Sequence, residues 1–219
     1  MAHIAMVVTN ACSPDPRVLR HATWLTELGH DVTVHAFDRE EAHPLSESHN
    51  GVRIMRYHLG KSPYGGLLKS ALGIRNFSKT VMRGLATNKP NLVYCHDADT
   101  LAIGCLLKKK YNIPLIFDMH DLQHSWVRMS SPKSKLRKFL SKIMERKMLQ
   151  RLKYVDLILT SSGKITPEST HDGFREYLKD HGFSSVVVEN RPDIEVSKKQ
   201  EKQEKWCVGY LGRIREIDS

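Results

Sequence analysis

Short apolar segments alternate with longer segments of helical periodicity along most of this chain. Most of the short segments are continuously apolar and end at turn-forming residues, which is typical of strands buried on both faces. Strands are predicted at residues 3–11, 30–37, 51–59, 91–97, 113–121, 155–162 and 185–192. Helices are predicted at residues 16–29, 66–88, 100–111 and 133–154 and in a segment that ends at 180–183. Because a helix follows most of the strands, the pattern predicts an α/β fold with a parallel sheet covered by helices on both faces.

The composition changes after Pro192. Residues 193–205 are polar and charged and lack a core-forming pattern, which is typical of a linker. Residues 206–219 begin again with a short apolar strand and a turn. We therefore expect one domain over residues 1–192, a charged linker over 193–205, and over 206–219 only the first strand and turn of a second, truncated α/β domain.

The composition is that of a folded globular protein, with 40% hydrophobic and 26% charged residues. No apolar segment approaches the roughly 20 residues that cross a bilayer, and the N-terminus lacks the features of a secretory signal. We therefore expect a cytoplasmic protein. The 4 cysteines are widely scattered, which predicts reduced, mostly buried thiols and no zinc site or disulfide framework.

The chain is basic, with 34 Lys and Arg residues against 24 Asp and Glu residues and a formal net charge of +10. This charge favours an anionic partner, and nucleic acid, phosphorylated small molecules and acidic lipid are the candidate classes. The sequence contains no helix-turn-helix, zinc-finger or RNP-like motif, and only 7% of its residues are aromatic. We therefore do not expect a nucleic-acid partner.

Polar side chains follow several predicted strands, at the edge where a parallel sheet binds its ligands. The candidate cleft residues at this edge are Asp15, Arg17, His96, Asp97, His120, Asp121 and Asn190. An imidazole flanked by carboxylates, such as His120 between Asp118 and Asp121, can bind a hydroxylated substrate. The sequence does not favour a metal site here, because H-E-x-x-H or a comparable ligand spacing is missing.

Each of these side chains also has a purely structural interpretation. Asp15 and Asp99 are candidate N-caps of the helices that follow them. Arg17 is alternatively a solvated side chain, and His96 is alternatively a hydrogen-bonded neighbour at a strand end. The sequence leaves both interpretations open.

Together these segments resemble the successive blocks of family 4, or group 1, glycosyltransferases, the retaining enzymes with the GT-B fold. The matching blocks occur in the family's order: "SPDPRVLRHATWLTELGHDVTV", "CHDADTLAIG", "IPLIFDMHDL", "VDLILTSSGKI", "VVVENRP" and "VGYLGRIRE". The resemblance covers essentially the whole chain. It implies two Rossmann-like domains facing each other across a cleft, with residues 1–192 as the N-terminal, acceptor-binding domain.

The resemblance also implies an activity. The reaction would transfer a sugar, of the hexosyl type, from a nucleotide-sugar to an acceptor hydroxyl with retention, without a metal or any other cofactor. His120 matches the family's catalytic histidine beside the transferred sugar, and Arg213 matches a residue that binds the donor phosphates. The turn "NACSPDPR" lacks the glycines that the family often has there. With most of the donor domain missing, the chain alone is expected to be inactive; the alternative is a non-catalytic acceptor-domain subunit that works with a separate donor-domain chain.

The predicted helix over residues 133–154 has apolar residues at helical spacing on one face and mostly Lys and Arg on the other. One interpretation is a helix packed on the core with a solvated basic face. The other is a patch that holds the domain at the cytoplasmic face of an anionic membrane, where a lipid-linked acceptor would be located. The proposed membrane patch consists of Lys135, Arg137, Lys138 and Lys142.

Overall fold

The computed structural model describes residues 1–62, 67–129, 131–164 and 173–189. Its strands are β1 (His3–Val8), β2 (Asp31–Phe37), β3 (Ser46–His49), β4 (Val52–Tyr57), β5 (Leu92–His96), β6 (Leu115–Met119), β7 (Leu157–Thr160) and β8 (Val186–Val187). Its helices are α1 (Pro16–Glu27), α2 (Leu67–Thr87), α3 (Leu101–Tyr111), α4 (Gln123–Met129), α5 (Lys135–Leu152) and α6 (Phe174–Asp180). The predicted linker over 193–205 and the predicted second-domain segment over 206–219 lie outside the described residues.

The strands form a single sheet in the order β3-β4-β2-β1-β5-β6-β7-β8. Every pair is parallel except β3 with β4, which is antiparallel. The predicted Rossmann-like α/β sheet is therefore confirmed, with one antiparallel edge strand added. This order makes β1, β5 and β6 neighbours, so their carboxyl ends lie side by side.

Two hydrophobic clusters lie on opposite faces of the sheet, because successive side chains of a strand point to opposite faces. Ala5 and Val7 of β1 belong to one cluster, which includes buried residues of α2, α3, α5 and α6. Ile4 and Met6 belong to the other, where α1 supplies Val18 and Ala22. Burial on both faces explains why the central strands are continuously apolar.

Two elements were not predicted from the sequence. Strand β3 has the sequence SESH, and its residues are all exposed, so it carries no hydrophobic alternation. It is joined to β4 by Asn50 and Gly51, whose φ angles of 49° and 78° are the left-handed values that a two-residue hairpin turn of this kind requires. Helix α4 has no buried residue and spans 7 residues, too short for a helical period to be recognised.

The long basic helix is present as α5, and the core-packed interpretation holds only for its C-terminal half. The buried residues of α5 are Ser141, Met148 and Leu152. Leu136 and Phe139 are 67% and 62% exposed. The apolar residues of α5 therefore pack on the core only near its C-terminal end, and those of its first half are exposed.

Within the described residues, no helix is both long enough and apolar enough to span a bilayer. Cys12, Cys95 and Cys105 are buried free thiols, as predicted, and burial raises the pKa of the Cys95 thiol to about 12. Cys207 lies outside the described residues.

Substitution of two helical glycines, Gly104 of α3 and Gly84 of α2, tests how tightly α3 packs on the sheet. A Cβ at Gly104 would clash with Leu115 Cδ1 and lie 2.8 Å from Cys95 Sγ, whereas a Cβ at Gly84 of α2 would meet nothing within 4 Å. We expect Gly84→Ala to stabilise the protein by about 0.5–1 kcal/mol, because alanine is the better helix former. We expect Gly104→Ala to destabilise it by about 1–3 kcal/mol, because overpacking outweighs that gain. Urea unfolding of both variants checks this, and stabilisation by both would contradict the packing described here.

Candidate active site

The carboxyl ends of β1, β5 and β6 bring most of the candidate residues to one edge of the sheet. His96 of β5 lies opposite Asp118 of β6 in the parallel register. The backbone N–H of Asp97 donates to the carbonyl of Asp118 at 3.0 Å, which continues the pairing into the turn. Asp97 has a φ of 64°, a left-handed value that aspartate adopts more readily than most residues. The turn therefore directs a carboxylate to this edge immediately after the strand.

The carboxylate of Asp118 is the centre of this cluster. Its Oδ2 accepts hydrogen bonds from His120 Nε2 at 2.7 Å and from His96 Nδ1 at 2.9 Å. The exposed fractions of the Asp118, His96 and His120 side chains are 1%, 0% and 8%. Burial acts to raise the pKa of Asp118, but the hydrogen bonds from His120 and His96 outweigh it and hold the pKa well below its usual range. The carboxylate is therefore ionised and can only accept.

An accepting carboxylate assigns protons to the two rings. The ring nitrogens that face Asp118, Nε2 of His120 and Nδ1 of His96, must each carry a hydrogen. When the His120 ring is neutral, its Nδ1 is consequently an acceptor. His96 Nε2 is buried and has no hydrogen-bond partner among the described residues.

An aromatic stack supports His96 from one side. The rings of Tyr94 and His96 lie 4.5 Å apart at an interplanar angle of 16°. The Tyr94 hydroxyl lies 2.7 Å from His21 Nδ1, and that nitrogen is 3.9 Å from Asp118. Burial lowers the pKa of His21 to about 4 and raises the pKa of Tyr94, so both side chains are neutral at pH 7. His21 and Tyr94 were not among the residues predicted from the sequence, although Tyr94 and His96 alternate on one face of β5.

Arg17 joins the first strand end to the neighbouring one. Its guanidinium contacts Asp97 at 2.9 Å and Asp15 at 3.2 Å. Asp15 also caps α1 by accepting from the backbone N–H of Val18 at 3.3 Å. The capping interpretation of Asp15 is therefore correct. The solvated interpretation of Arg17 is wrong, because its side chain is only 16% exposed.

Asp99 is not the N-cap of α3. Helix α3 begins after Thr100, whose hydroxyl donates to the His96 carbonyl at 2.7 Å instead of capping the helix. Asp99 turns back and accepts a short hydrogen bond from the Thr9 hydroxyl. Burial raises the pKa of Asp99 to about 6, although Arg39 lies 3.9 Å away.

The structure brings six of the sequence-predicted cleft residues to one edge of the sheet: Asp15, Arg17, His96, Asp97, His120 and Asp121. Burial, together with the nearby Asp97 carboxylate, raises the pKa of Asp121. Asn190 and Arg213 lie outside the described residues. Within the described part of the chain, no group of three or more His, Cys, Asp or Glu side chains is arranged to hold a metal ion.

The four predicted patch residues lie apart from this cluster, on α5. Lys135, Lys138 and Lys142 are exposed. Arg137 is partly buried and donates from Nη1 to the backbone carbonyl of Val127 at 2.9 Å. Arg137 therefore connects α5 to α4 through this hydrogen bond, in addition to contributing a positive charge to the patch.

A family model described as "Glycosyl transferase 4-like domain" matches residues 14–189. Sucrose-phosphate synthase from Thermosynechococcus elongatus superposes with a TM-score of 0.60 at 15% identity, over 87% of this chain and 47% of that one. A ugt transferase from Siraitia grosvenorii in complex with UDP superposes with a TM-score of 0.57 at 12% identity, over 91% of this chain and 53% of that one.

Arabidopsis thaliana UGT89C1 complexed with UDP-L-rhamnose superposes with a TM-score of 0.52 at 11% identity, over 90% of this chain and 54% of that one. The chain thus spans about half the length of these solved structures. No curated protein sequence matches it.

The mostly buried Asp99 carboxyl predicts a particular pH dependence. Its pKa is about 6 in the folded protein, against 3.8 for an unperturbed aspartate, so between these values the folded state binds more protons than the unfolded state. The contribution of Asp99 to stability is therefore fully present below about pH 4 and is lost as the pH rises through about 6. Asparagine mimics the protonated carboxyl. Relative to wild type, Asp99→Asn should gain up to about 3 kcal/mol of unfolding free energy between pH 4 and pH 7.5.

Urea unfolding of wild type and Asp99→Asn across this pH range measures the difference. Comparing the two proteins at each pH cancels the effects of all other titrating groups. A difference that stays constant with pH would contradict the raised pKa of Asp99.

Proposed function

Since this chain belongs to the family of glycosyl transferase 4-like domains, we propose that it is the acceptor-side domain of a retaining GT-B glycosyltransferase. The complete enzyme transfers a hexosyl group from a nucleotide-sugar to an acceptor hydroxyl. The observation that carries the proposal is the Asp118-centred cluster at the carboxyl edge of the parallel sheet. There an ionised carboxylate fixes the His120 ring beside two further carboxylates, Asp97 and Asp121.

In this proposal His120 binds the sugar being transferred. Asp118 occupies the Nε2–H of the ring, so Nδ1 is the atom that can accept a hydrogen bond from a sugar hydroxyl. The carboxylates of Asp97 and Asp121 accept hydrogen bonds from hydroxyls of the acceptor. The positive charge of Arg17 reduces the electrostatic repulsion between these two nearby carboxylates.

The proposed chemistry is a substitution at the anomeric carbon. The bond from this carbon to the leaving phosphate oxygen breaks, and the acceptor oxygen bonds to the same face of the carbon. The acceptor proton leaves with the diphosphate. We propose that Arg213 and other groups of the donor domain stabilise the negative charge that develops on the diphosphate, and that no metal ion is needed.

The nature of the donor is inferred from the solved structures with similar folds. Two of them contain UDP or UDP-L-rhamnose, so a uridine diphosphate sugar is the first donor to test. Because those chains are about twice as long, we propose that a second domain supplies the donor site and that residues 206–219 form its first strand and turn. Under this proposal the acceptor-side domain alone has no transfer activity. A separately encoded donor-domain chain is the alternative source of the second half.

The surface of α4 and α5 supports a further part of the proposal, which is contact with an anionic membrane. Leu136 and Phe139 of α5 are exposed beside the lysines of the same helix. Exposed apolar side chains with basic neighbours are the features that hold a protein at a lipid interface. We propose that this surface binds the cytoplasmic face of a membrane and that the acceptor is lipid-linked.

Replacing His120 tests the catalytic assignment. In the complete enzyme, or in this chain reconstituted with its donor domain, we expect His120→Ala to lower turnover by about 100-fold or more while leaving the unfolding transition intact. The measurement is release of UDP from a panel of UDP-sugars in the presence of acceptor. His49→Ala, on the exposed strand β3, is the matched control and should retain wild-type turnover. Wild-type turnover in His120→Ala would refute the assignment.

Replacing three lysines tests the membrane contact. We expect the triple variant with Lys135, Lys138 and Lys142 changed to Gln to bind anionic vesicles roughly 100-fold more weakly, at about 1 kcal/mol per residue. Arg137 is kept, because it joins α5 to α4. Wild-type binding should weaken as salt is added. Vesicle sedimentation measures both effects.

The control variant removes the same charge elsewhere, at the exposed Lys61, Lys79 and Lys179. It should retain most of the vesicle binding. An equal loss in both triple variants would mean that net charge alone attracts the protein to the membrane, and unchanged binding in the α5 variant would exclude the patch.

A further inference from the structure

Helices α4 and α5 line an open cavity of about 310 Å³, at the lower end of the range for small-molecule sites. This cavity could not be predicted from the sequence, because α4 is too short to show a helical period. The cavity is separate from the Asp118-centred cluster and shares no residue with it. Its walls consist of His124 and Arg128 from α4 and Lys138, Ser141, Lys142 and Glu145 from α5.

The cavity has an excess of positive charge. Within the described part of the chain, Arg128, Lys138 and Lys142 form no ion pair with a carboxylate. Glu145 is the one acidic side chain in the wall, and it already accepts from the Tyr177 hydroxyl at 2.8 Å. Lys138 and Lys142 are four residues apart on one helix, where like charges repel unless an anion lies between them. The wall thus carries three cations and one carboxylate that is already hydrogen-bonded.

A buried polar atom in the same wall also lacks a partner. His124 Nδ1 is buried without a hydrogen-bond partner among the described residues, and the side chain is 12% exposed. The other nitrogen of this ring, Nε2, lies 3.5 Å from Glu145. A buried polar atom without a partner is unfavourable, so this part of the wall is not optimised for folding alone. The nearly buried Ser141 adds a hydroxyl to the wall.

The surroundings of the cavity identify the source of the anion. Trp126 and Met129 of α4 are 47% and 51% exposed, and Leu136 and Phe139 of α5 are more exposed still. Large apolar side chains beside a basic cavity match a lipid, which offers a charged headgroup and a hydrocarbon region together. These apolar side chains would contribute nothing to binding a free phosphate, which interacts only with the charged groups.

We infer that the cavity between α4 and α5 binds the phosphate monoester headgroup of an anionic lipid. A monoester carries between one and two negative charges near neutral pH, which suits three unpaired cations better than the single charge of a diester. Its oxygens accept from Arg128, Lys138 and Lys142. The inference rests on the proposed membrane contact and gives it a headgroup specificity.

The test compares two vesicle compositions at equal measured surface charge, phosphatidylcholine with phosphatidic acid and phosphatidylcholine with phosphatidylglycerol. We expect the 219-residue chain to bind the phosphatidic acid vesicles about tenfold more tightly, the equivalent of one charge-assisted hydrogen bond. Arg128→Gln and Lys142→Gln should reduce this ratio to near one. Lys147→Gln, which removes a charge from an exposed position of α5 outside the cavity wall, should weaken binding to both vesicles alike and preserve the ratio.

Equal binding of wild type to the two vesicles, or the same loss of preference in Lys147→Gln, would overturn the inference while leaving the membrane contact in place. Absence of binding to either vesicle would refute the membrane contact and the lipid headgroup together. A titration with inorganic phosphate at constant ionic strength, followed by the tryptophan fluorescence to which Trp126 contributes, then separates the sources. Saturable binding of phosphate without vesicle binding would assign the cavity to a free phosphate and overturn the lipid assignment. Sugar transfer is not measured, so none of these results bears on His120.

Discussion

The buried carboxylate of Asp118 determines the arrangement of the candidate site. An ionised carboxylate away from water is costly unless hydrogen bonds compensate it, and here two imidazole N–H groups from His96 and His120 do so. In turn, the same carboxylate determines which nitrogen of each ring carries a proton. Loss of this one charge would therefore release both rings and leave their buried nitrogens without partners.

The rest of the site depends on how the sheet brings this carboxylate to its neighbours. The parallel register sets His96 opposite Asp118, and the left-handed turn at Asp97 directs the next carboxylate to Arg17 of α1. Three consecutive strands in the sheet order thus share one network of charges. We propose that a second domain closes over this edge with the nucleotide-sugar. The α4–α5 surface is a separate region of the same domain and, in our proposal, sets where in the cell the enzyme meets its acceptor.

Much of the sheet could be predicted from the sequence, because strands buried on both faces must be continuously apolar. The resemblance to family 4 glycosyltransferases is likewise confirmed by the family match over residues 14–189. Strand β3 could not be predicted from hydrophobicity, since all of its side chains are exposed. The dipeptide Asn50–Gly51 before β4 is nevertheless a sequence signal for a hairpin turn. The roles of His120 and the other cleft residues remain predictions.

Other features depend on contacts between segments that are distant in sequence. The role of Asp118 follows from its pairing with His96, 22 residues earlier in the chain, and Asp99 bonds to Thr9, 90 residues away. Periodicity cannot reveal either contact. The sequence also left two interpretations of α5 open, because apolar spacing indicates which residues share a face but not whether another element covers it.

The most direct test of this account is to locate the ring protons of His96 and His120 by ¹⁵N NMR of the histidine side chains. We expect a proton on Nε2 of His120 and on Nδ1 of His96 at neutral pH, and loss of this fixed pattern in Asp118→Asn. A His120 ring that carries its proton only on Nδ1, or a pattern unchanged in Asp118→Asn, would contradict the claim that Asp118 organises the site.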